Sequence, residues 1–169
     1  MGSIPSSITE RASHIKLLVL DVDGVLTDGR LYFSGDGEAL KAFHVRDGAG
    51  IVQLHRMGIE VAIISGRKSA AVDSRMRELG VAHVHQGVGD KQVVLQSLWQ
   101  TLNLDSRRTA CMGDDTPDIP MLKLAGLAVA VADAHAQVRA VAHHVTQLSG
   151  GLGAVREVCD LIAAARSSD

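Results

Sequence analysis

The sequence of 169 residues predicts a doubly wound α/β fold with a mainly parallel, Rossmann-like sheet. Short, continuous apolar runs recur along the chain, and such runs are typical of strands that are buried on both faces of a parallel sheet. Segments with helical spacing of apolar residues lie between the runs, and this alternation favours the α/β class. Acidic and Ser-Gly motifs follow several runs directly, at the sheet edge where open α/β folds bind ligands.

Each predicted element depends on a local pattern. The apolar runs predict strands over Ile15–Leu20, Val61–Ile64, Ala82–His85 (the weakest), Thr109–Met112 and Leu127–Val131. Helical spacing predicts helices over Gly48–Met57, Ser69–Leu79, Lys91–Leu102, Ala134–Ala140 and Ala154–Ala165. Gly58 and Gly80 follow two of these segments, at the position where glycine commonly ends a helix. A Ser-Gly-Asp-Gly turn between Arg30–Phe33 and Glu38–Phe43 predicts a small β-hairpin that projects after the first strand.

Composition limits the class of protein and its partners. Hydrophobic residues make up 46% of the chain and aromatic residues only 2%, so the core is expected to be aliphatic. The length suits a single domain, predicted over residues 15–169 after a loose, flexible tail over residues 1–14. A net charge of -2 gives no electrostatic case for binding nucleic acid or an anionic membrane. Cys111 and Cys159 stand far apart without zinc-ligand spacing, which favours a reducing, cytoplasmic setting.

Polar side chains follow the predicted strands at their carboxyl ends. Asp21 and Asp23 come after the first strand, Ser65 after the second and Asp114 after the fourth, while Lys91 opens the helix that follows the third. Each motif is weak alone, since an Asp-x-Asp after a strand is often only a polar strand end. Carboxylates gathered at one sheet edge repel each other and suit Mg²⁺, while the lysine, the serine and backbone N–H groups suit a phosphate. The combination predicts magnesium-dependent phosphoryl transfer.

The first two acids suit different roles in that chemistry. Asp21 is ionised at neutral pH and needs no base to act as a nucleophile, provided that Mg²⁺ and Lys91 screen it from the phosphate. Asp23 lies two residues on, and therefore on the same side of an extended chain. We expect Asp23 to protonate the leaving sugar oxygen and then to deprotonate the water that cleaves an aspartyl-phosphate.

The order and spacing of these motifs resemble the haloacid dehalogenase superfamily of phosphotransferases, from about Ile15 onward. The resemblance implies that Asp21 is the nucleophile, Asp23 the general acid and base, and Mg²⁺ the cofactor. The implied metal ligands are the side chains of Asp21 and Asp114 and the main-chain carbonyl of Asp23. The other implied site residues are Ser65 and Lys91, which would hold the transferred phosphoryl group, and the supporting acids Asp115 and Asp118.

Longer stretches are similar to one family within this superfamily, the 3-deoxy-D-manno-octulosonate 8-phosphate phosphatases of lipopolysaccharide biosynthesis. These stretches are Asp21–Gly29, Phe43–Gly48, Ile63–Arg67, Val129–His135 and Gly150–Glu157. The substrate is a sugar acid, and arginine binds carboxylate groups bidentately. The resemblance implies a substrate site made of Asp23, His44, Val45, Arg46, Asp47, Gly48, Gly66, Arg67, Arg75 and Lys91.

One position departs from this family. Val52 stands where its members carry an arginine, and Arg56, one helical turn later, is a candidate replacement. A direct substrate contact from this helix is therefore an open point. On the residues alone, Arg75 is equally compatible with an exposed helix position, and the resemblance favours a substrate role.

The spacing of the motifs leaves no room for an inserted cap domain. Only the hairpin and one helix lie between Asp23 and Ser65, and only one helix and one strand between Ser65 and Lys91. The resemblance implies a homotetramer in which each hairpin helps to cover a neighbour's site. The segment Gly150–Gly153, with Arg156, is predicted to form an anion-binding loop that reaches an active site. Removal of the chain from Gly150 is predicted to lower turnover and to leave the protein folded.

Three other functions stay open at this point. An acylneuraminate 9-phosphate phosphatase would share the chemistry, and turnover of both sugar phosphates would separate the two. A phosphoacceptor signalling domain would hold a stable aspartyl-phosphate, although such domains carry the phosphoacceptor after a middle strand. A catalytically inactive binding module would lack part of the catalytic set, whereas every expected residue type is present here.

Overall fold

A six-stranded parallel sheet with packed helices forms the core of the structure, a computed structural model that describes residues 5–166. A two-stranded antiparallel hairpin is separate from that sheet. In chain order, the elements are α1 (Ser6–Ser13), β1 (Leu17–Leu20), β2 (Tyr32–Ser34), β3 (Gly37–Leu40), α2 (Val45–Arg56), β4 (Glu60–Ser65), α3 (Ala70–Glu78), β5 (His83–Gln86), α4 (Lys91–Leu102), β6 (Thr109–Gly113), α5 (Ile119–Leu124), β7 (Leu127–Ala130), α6 (Ala136–Val141), β8 (His144–Val145) and α7 (Ala154–Arg166). Two 3₁₀ turns, Ser106–Arg108 and Thr116–Asp118, precede β6 and α5.

The strand order of the sheet is β5-β4-β1-β6-β7-β8, and all neighbouring pairs are parallel. The chain moves outward from β1 to β5 and then returns to the other side of β1, so the order reverses between β1 and β6. Because β-α-β crossovers are right-handed, this reversal puts the helices of the two halves on opposite faces. Helices α1, α2 and α7 pack in one group, and α4, α5 and α6 in another. The predicted doubly wound fold is confirmed.

Aliphatic side chains fill the space between the sheet and the helices. All four residues of β1 and of β7 are buried, as are five of the six residues of β4. The largest fully buried side chains are leucine, isoleucine and methionine, which confirms the aliphatic core expected from composition. Each such burial stabilises the fold by roughly 1.5–3 kcal/mol. The buried strands therefore give the loops at their carboxyl ends a rigid base.

Local signals explain where two of the helices begin and end. His44 lies at the N-cap of α2, and its Nδ1 accepts a hydrogen bond from the backbone N–H of Arg46 at 3.2 Å. This cap starts α2 at Val45, three residues before the predicted start. Gly58 and Gly80 have φ values of +70° and +74°, the left-handed conformation that ends a helix, as predicted.

The chain before β1 forms a helix, so the predicted loose tail is wrong for this segment. Ile8 and Ala12 lie one turn apart on α1 and are buried, and the helix packs against α7. Polar residues surround these two apolar positions, so the sequence pattern did not indicate a helix with a buried face. The prediction for residues 1–4 lies outside the described residues.

The sequence prediction also missed α5 and β8, because both are too short for periodicity to reveal them. The longest helix in residues 5–166 is α7, with 13 residues. None of the helices in that range is both long and apolar enough to span a bilayer.

Helix α7 is part of the core, which contradicts the expectation of a folded protein truncated at Gly150. Val155, Val158 and Ile162 are fully buried, and α7 packs on both α1 and α2. Loss of this helix would expose the apolar surface that it covers. We therefore expect the truncation to unfold the chain, so it cannot report on turnover alone.

Candidate active site

The candidate catalytic residues meet at the carboxyl edge of the sheet, where the strand order reverses. Asp21 follows β1 directly, Ser65 is the last residue of β4 and Gly113 is the last residue of β6. Because β1 pairs in parallel with both β4 and β6, the ends of these strands lie side by side. Lys91, the first residue of α4, reaches the same edge. The structure thus brings together residues from four separate segments of the sequence.

A buried ammonium group lies between two of the carboxylates. Lys91 Nζ donates to Asp21 Oδ1 at 2.7 Å and to Asp118 Oδ1 at 2.6 Å. None of the three side chains is more than 9% exposed, so solvent screens these charges weakly. Burial alone lowers the pKa of Lys91, but the charges of Asp21 and Asp118 outweigh it and raise the pKa. Lys91 is therefore a fixed positive charge beside Asp21.

Asp118 organises the loop after β6. Its Oδ2 accepts hydrogen bonds from the backbone N–H groups of Asp114 and Asp115 at 2.9 and 3.2 Å. Asp115 and Asp118 also form a reciprocal capping box around the following 3₁₀ turn. A Cβ atom at Gly113 would collide with the Asp118 side chain, so glycine permits this close approach. These contacts fix the backbone from which Asp114 projects.

Three acidic side chains form a cluster that fits a divalent cation. Asp21, Asp114 and Asp118 each offer a carboxylate oxygen, and the three oxygens lie within 4.8 Å of one another. Burial, followed by the charge of Asp118, raises the pKa of Asp21 to about 6. Burial, followed by the charges of Asp21 and Asp118, raises the pKa of Asp114 to about 8. A hard cation with oxygen ligands, such as Mg²⁺, would relieve this repulsion.

The hydrogen bonds of the three carboxylates indicate which of them are the better candidates for metal ligands. Both oxygens of Asp118 already accept hydrogen bonds, from Lys91 and from backbone N–H groups, so Asp21 and Asp114 are the better candidates. Gly24, at φ +90°, packs directly on the Asp114 carboxylate, which a Cβ atom at that position would overlap. The main chain of Asp23 and Gly24 therefore lies beside Asp114, which is compatible with the Asp23 carbonyl as a third ligand.

We expect the metal-free protein to lose stability as the pH rises from about 4 to about 8. The folded state holds protons on Asp21 and Asp114 more tightly than the unfolded chain does, so the ionisation of these carboxylates favours unfolding. Urea unfolding in EDTA across this pH range measures the effect, and Mg²⁺ added at pH 8 should restore stability. The variant Asp114→Asn should show a shallower pH dependence. Parallel curves for the variant and the unmodified protein would contradict the assignment.

Two cations flank Asp23, and one of them was not predicted from the sequence. Lys41 Nζ pairs with Asp23 Oδ1, and Arg67 Nε lies 3.7 Å from Asp23 Oδ2. Glu38 Oε2 lies 3.2 Å from Lys41 Nζ and 3.4 Å from Arg67 Nη2, and Glu38 Oε1 accepts a hydrogen bond from Ser69 Oγ at 2.6 Å. No local pattern marked Lys41, because 18 positions separate it from Asp23. The hairpin thus lies against the site of its own chain.

Several of the residues predicted to bind the sugar acid lie around the start of α2. His44, Asp47, Gly48 and Arg75 lie around one narrow gap, which is too tight to admit a water molecule. A Cβ atom at Gly48 would collide with the Arg75 guanidinium, which also pairs with Glu78 at 2.9 Å. This geometry places Arg75 beside α2 instead of leaving it as a fully exposed helix residue. The substrate contacts themselves stay predictions.

Asp47 connects two helices. Its side chain is buried, and its Oδ1 accepts a hydrogen bond from the backbone N–H of Arg156 at 2.8 Å, near the start of α7. Burial raises the pKa of Asp47. The guanidinium of Arg156 pairs with Asp160 at 2.8 Å on the outer side of α7. Arg156 therefore does not form the expected anion-binding loop within its own chain.

The remaining predicted residues differ in their access to the site. Val45, Arg46 and Gly66 are exposed, and all three belong to segments at the carboxyl edge of the sheet. Arg56 is the last residue of α2, roughly 16 Å along the helix from Val45 at about 1.5 Å per residue. Family members carry an arginine at the position of Val52. The distance argues against Arg56 taking the place of that arginine in the active site of the same chain.

Comparison with known proteins identifies the family. A profile of haloacid dehalogenase-like hydrolases matches residues 82–156. The 3-deoxy-D-manno-octulosonate 8-phosphate phosphatase of Yersinia pestis is 47% identical over 165 residues, which cover 98% of this chain and 88% of that protein. The chain belongs to this phosphatase family, within the haloacid dehalogenase-like hydrolases.

Solved structures of the phosphatase family agree with this assignment. The crystal structure of the Yersinia pestis phosphatase has a TM-score of 0.96 and covers 98% of this chain and 90% of that one, at 47% identity. The phosphatase of Moraxella catarrhalis, solved with a magnesium ion, a phosphate ion and 3-deoxy-D-manno-octulosonate (KDO), has a TM-score of 0.94 at 43% identity, and covers 98% of this chain and 95% of that one. As a member of this phosphatase family, the chain is a phosphoric monoester hydrolase, which confirms the predicted enzyme class.

Proposed function

We propose that this protein hydrolyses 3-deoxy-D-manno-octulosonate 8-phosphate to the free sugar acid and phosphate, as a cytoplasmic step of lipopolysaccharide biosynthesis. The observation that carries the proposal is the buried Lys91–Asp21 pair beside Asp114, in a chain 47% identical to a phosphatase of that substrate. The predicted magnesium cofactor is confirmed by the acidic cluster and by the magnesium in the Moraxella relative. When bound, Mg²⁺ supplies the positive charge that lets a carboxylate approach a phosphate. The side chains of Asp21 and Asp114 and the carbonyl of Asp23 would hold it.

Asp21 is the proposed nucleophile. One of its carboxylate oxygens forms a bond to phosphorus while the bond between phosphorus and the sugar oxygen breaks, which gives an aspartyl-phosphate and the sugar acid. With a pKa of about 6, Asp21 is mainly ionised at pH 7 and above. Lys91 orients its carboxylate through the 2.7 Å hydrogen bond. Lys91 and the hydroxyl group of Ser65 are proposed to bind the oxygens of the transferred group.

Asp23 is the proposed general acid and base. It donates a proton to the leaving sugar oxygen, and then accepts one from the water that attacks phosphorus, which releases phosphate and restores Asp21. The side chain of Asp23 is 19% exposed, more than that of Asp21 at 9%, so it lies nearer to solvent and substrate. Lys41 pairs with one of its oxygens and Arg67 lies near the other, so both cations limit its motion. This support favours one orientation of the carboxylate in both half-reactions.

The sugar acid carries a carboxylate besides its phosphate, and arginine side chains suit it. The Arg67 side chain is 43% exposed and lies next to Asp23, so it can reach a substrate bound there. Arg75 and His44 lie together at the start of α2, and the relation to the phosphatase family supports a substrate-binding role for them. We infer that these three residues select the sugar acid over simpler phosphate esters.

A panel of purified sugar phosphates tests the proposed substrate. We expect phosphate release from 3-deoxy-D-manno-octulosonate 8-phosphate with a kcat/KM at least about tenfold above that for acylneuraminate 9-phosphate, because a site built around one polar ligand penalises analogues that leave its groups unpaired. EDTA should abolish release, and Mg²⁺ should restore it. Faster turnover of the longer sugar acid would assign the protein to the other substrate. A phosphorylated protein that persists for many minutes without turnover would indicate signalling.

We propose that the protein is a homotetramer assembled through the hairpin. Tyr32 and Leu40 pair across the hairpin, and with neighbouring Phe33 they are 41%, 53% and 63% exposed. Several large exposed apolar residues on one small element are typical of a protein interface. We expect light scattering to give a tetramer for the unmodified protein and a smaller species for Phe33→Ser. Exposed Leu152, on the tail loop and outside the hairpin, provides the control variant Leu152→Ser. A monomeric unmodified protein would refute the proposal.

A further inference from the structure

The glycine-rich loop before α7 packs on the chain's own catalytic loop. A Cβ atom at Gly150 would overlap the carbonyl oxygen of Gly24 and lie 3.1 Å from the carbonyl oxygen of Thr27. Gly151 has φ +67°, and its N–H donates to the carbonyl of Val25 at 2.9 Å. Backbone therefore meets backbone here without an intervening side chain, which only glycine allows at this separation.

A carboxylate from a third loop holds the glycine-rich loop in place. Asp133 Oδ1, in the loop after β7, accepts a hydrogen bond from the N–H of Gly150 at 3.0 Å. In the same loop, the N–H of His135 donates to the carbonyl of Asp114 at 2.7 Å. The loop after β7 therefore contacts both the candidate metal ligand Asp114 and the glycine loop that presses on Gly24.

The contacted backbone belongs to the magnesium site. Gly24 packs on the Asp114 carboxylate so closely that a Cβ atom would overlap it. The carbonyl of Asp23, a proposed ligand, belongs to the peptide group that joins Asp23 to Gly24. The hydroxyl oxygen of buried Thr27 accepts hydrogen bonds from the N–H groups of Gly24 and Gly29 at 3.3 and 3.2 Å, so the loop is braced from inside as well.

We infer that Gly150, Gly151 and Asp133 are positioning residues that set the affinity of the site for Mg²⁺. Their contacts keep the Gly24 backbone packed against Asp114. They thereby fix the distance between the Asp23 carbonyl and the Asp114 carboxylate. Groups that orient the ligands of a metal commonly change its affinity by 10–100-fold when they are removed. The inference rests on the proposed magnesium site, and it gives the glycine segment a role within its own chain.

Calorimetric titration of the metal-free protein with Mg²⁺, without substrate, tests this inference. We expect Gly150→Ala to raise the Kd for Mg²⁺ by about tenfold or more, because the added methyl group must displace Gly24. Asp133→Ala should raise the Kd by a smaller factor, since it removes the tether without a collision. Asp133→Asn keeps an acceptor oxygen at Oδ1 and should retain nearly the original Kd.

Two controls separate positioning from other effects. Gly126→Ala also places a methyl group against backbone, 2.6 Å from the carbonyl oxygen of Ser106, but at the opposite edge of the sheet. It should reduce stability without changing the Kd for Mg²⁺. An equal loss of affinity in Asp133→Asn and Asp133→Ala would refute the positioning role of Asp133, because the charge of the side chain and not its hydrogen bond would then set the affinity.

The possible outcomes distinguish this inference from the proposed metal site. If the unmodified protein shows no saturable Mg²⁺ binding, the metal site itself is wrong. If it binds Mg²⁺ and both Gly150→Ala and Asp133→Ala bind equally well, the positioning role is refuted. If Gly150→Ala does not fold, exposed Asp133 still decides the question through its alanine and asparagine variants.

Discussion

Replacement of Asp21 by asparagine should reduce turnover by about 10³-fold or more while the protein stays folded. The amide has nearly the shape of the carboxylate but is neutral and does not attack phosphorus. In the metal-free protein, ionised Asp21 is disfavoured by burial and by the charge of Asp118, which raise its pKa to about 6. We therefore expect the free energy of unfolding of Asp21→Asn in EDTA at pH 8 to equal or exceed that of the unmodified protein.

Three measurements check this expectation: kcat at saturating Mg²⁺, urea unfolding in EDTA, and mass spectrometry after rapid acid quench. The quenched unmodified protein should carry a transient phosphoryl group on Asp21, and Asp21→Asn should carry none. Asp105→Asn is the matched control, because Asp105 is exposed, precedes β6 at the other edge of the sheet, and its Oδ1 caps the N–H of Arg108, a role that an amide oxygen can fill. Turnover of Asp21→Asn within tenfold of the unmodified protein would refute Asp21 as the nucleophile.

Replacement of Lys91 by methionine should damage both stability and turnover. Methionine has a similar length but leaves the buried carboxylates of Asp21 and Asp118 without their shared cation. Removing one partner of a buried ion pair typically costs about 3–5 kcal/mol. The proposed contact with the transferred phosphoryl group is lost as well, so we expect kcat to fall by about 10²-fold or more.

A double variant separates the two effects of Lys91. Lys91→Met combined with Asp118→Asn removes one of the carboxylates left unpaired, so it should recover part of the free energy of unfolding without recovering kcat. Lys123→Met is the control, because Lys123 is exposed on α5 and should change neither quantity much. If Lys91→Met kept both its stability and its turnover, Lys91 would not be the central cation of this site.

The fold class could be predicted from the sequence, because the burial of an element constrains which of its residues are apolar. Strands buried on both faces must be continuous apolar runs, and the runs before Asp21, Ser65 and Gly113 corresponded to β1, β4 and β6. Segments too short to show a period, such as β8 and α5, were missed for the same reason. The loose tail was wrong because Ile8 and Ala12 form a stripe of only two buried residues on a polar helix.

The part of the candidate site that lies directly after the strands could be predicted from the sequence. Acids placed directly after parallel strands must meet at one edge, so the sequence pattern was enough to assign Asp21 and Asp114 to one cluster. The sequence also placed Lys91 at that edge, at the start of the helix after the third strand. The family resemblance implied that Asp114 binds the metal and that Asp118 supports the site. The strand pattern alone did not separate their roles, because these depend on which oxygens accept backbone hydrogen bonds.

The candidate catalytic residue types, their order along the chain and the family could all be inferred from the amino-acid sequence. The groups that support these residues became apparent in the folded chain: Glu38 and Lys41 beside Asp23, and Gly150 on Gly24. These contacts join residues far apart in sequence through single hydrogen bonds or close backbone approaches. Such contacts leave no periodic or compositional signal, because any polar residue or glycine is locally acceptable at those positions until the chain has folded.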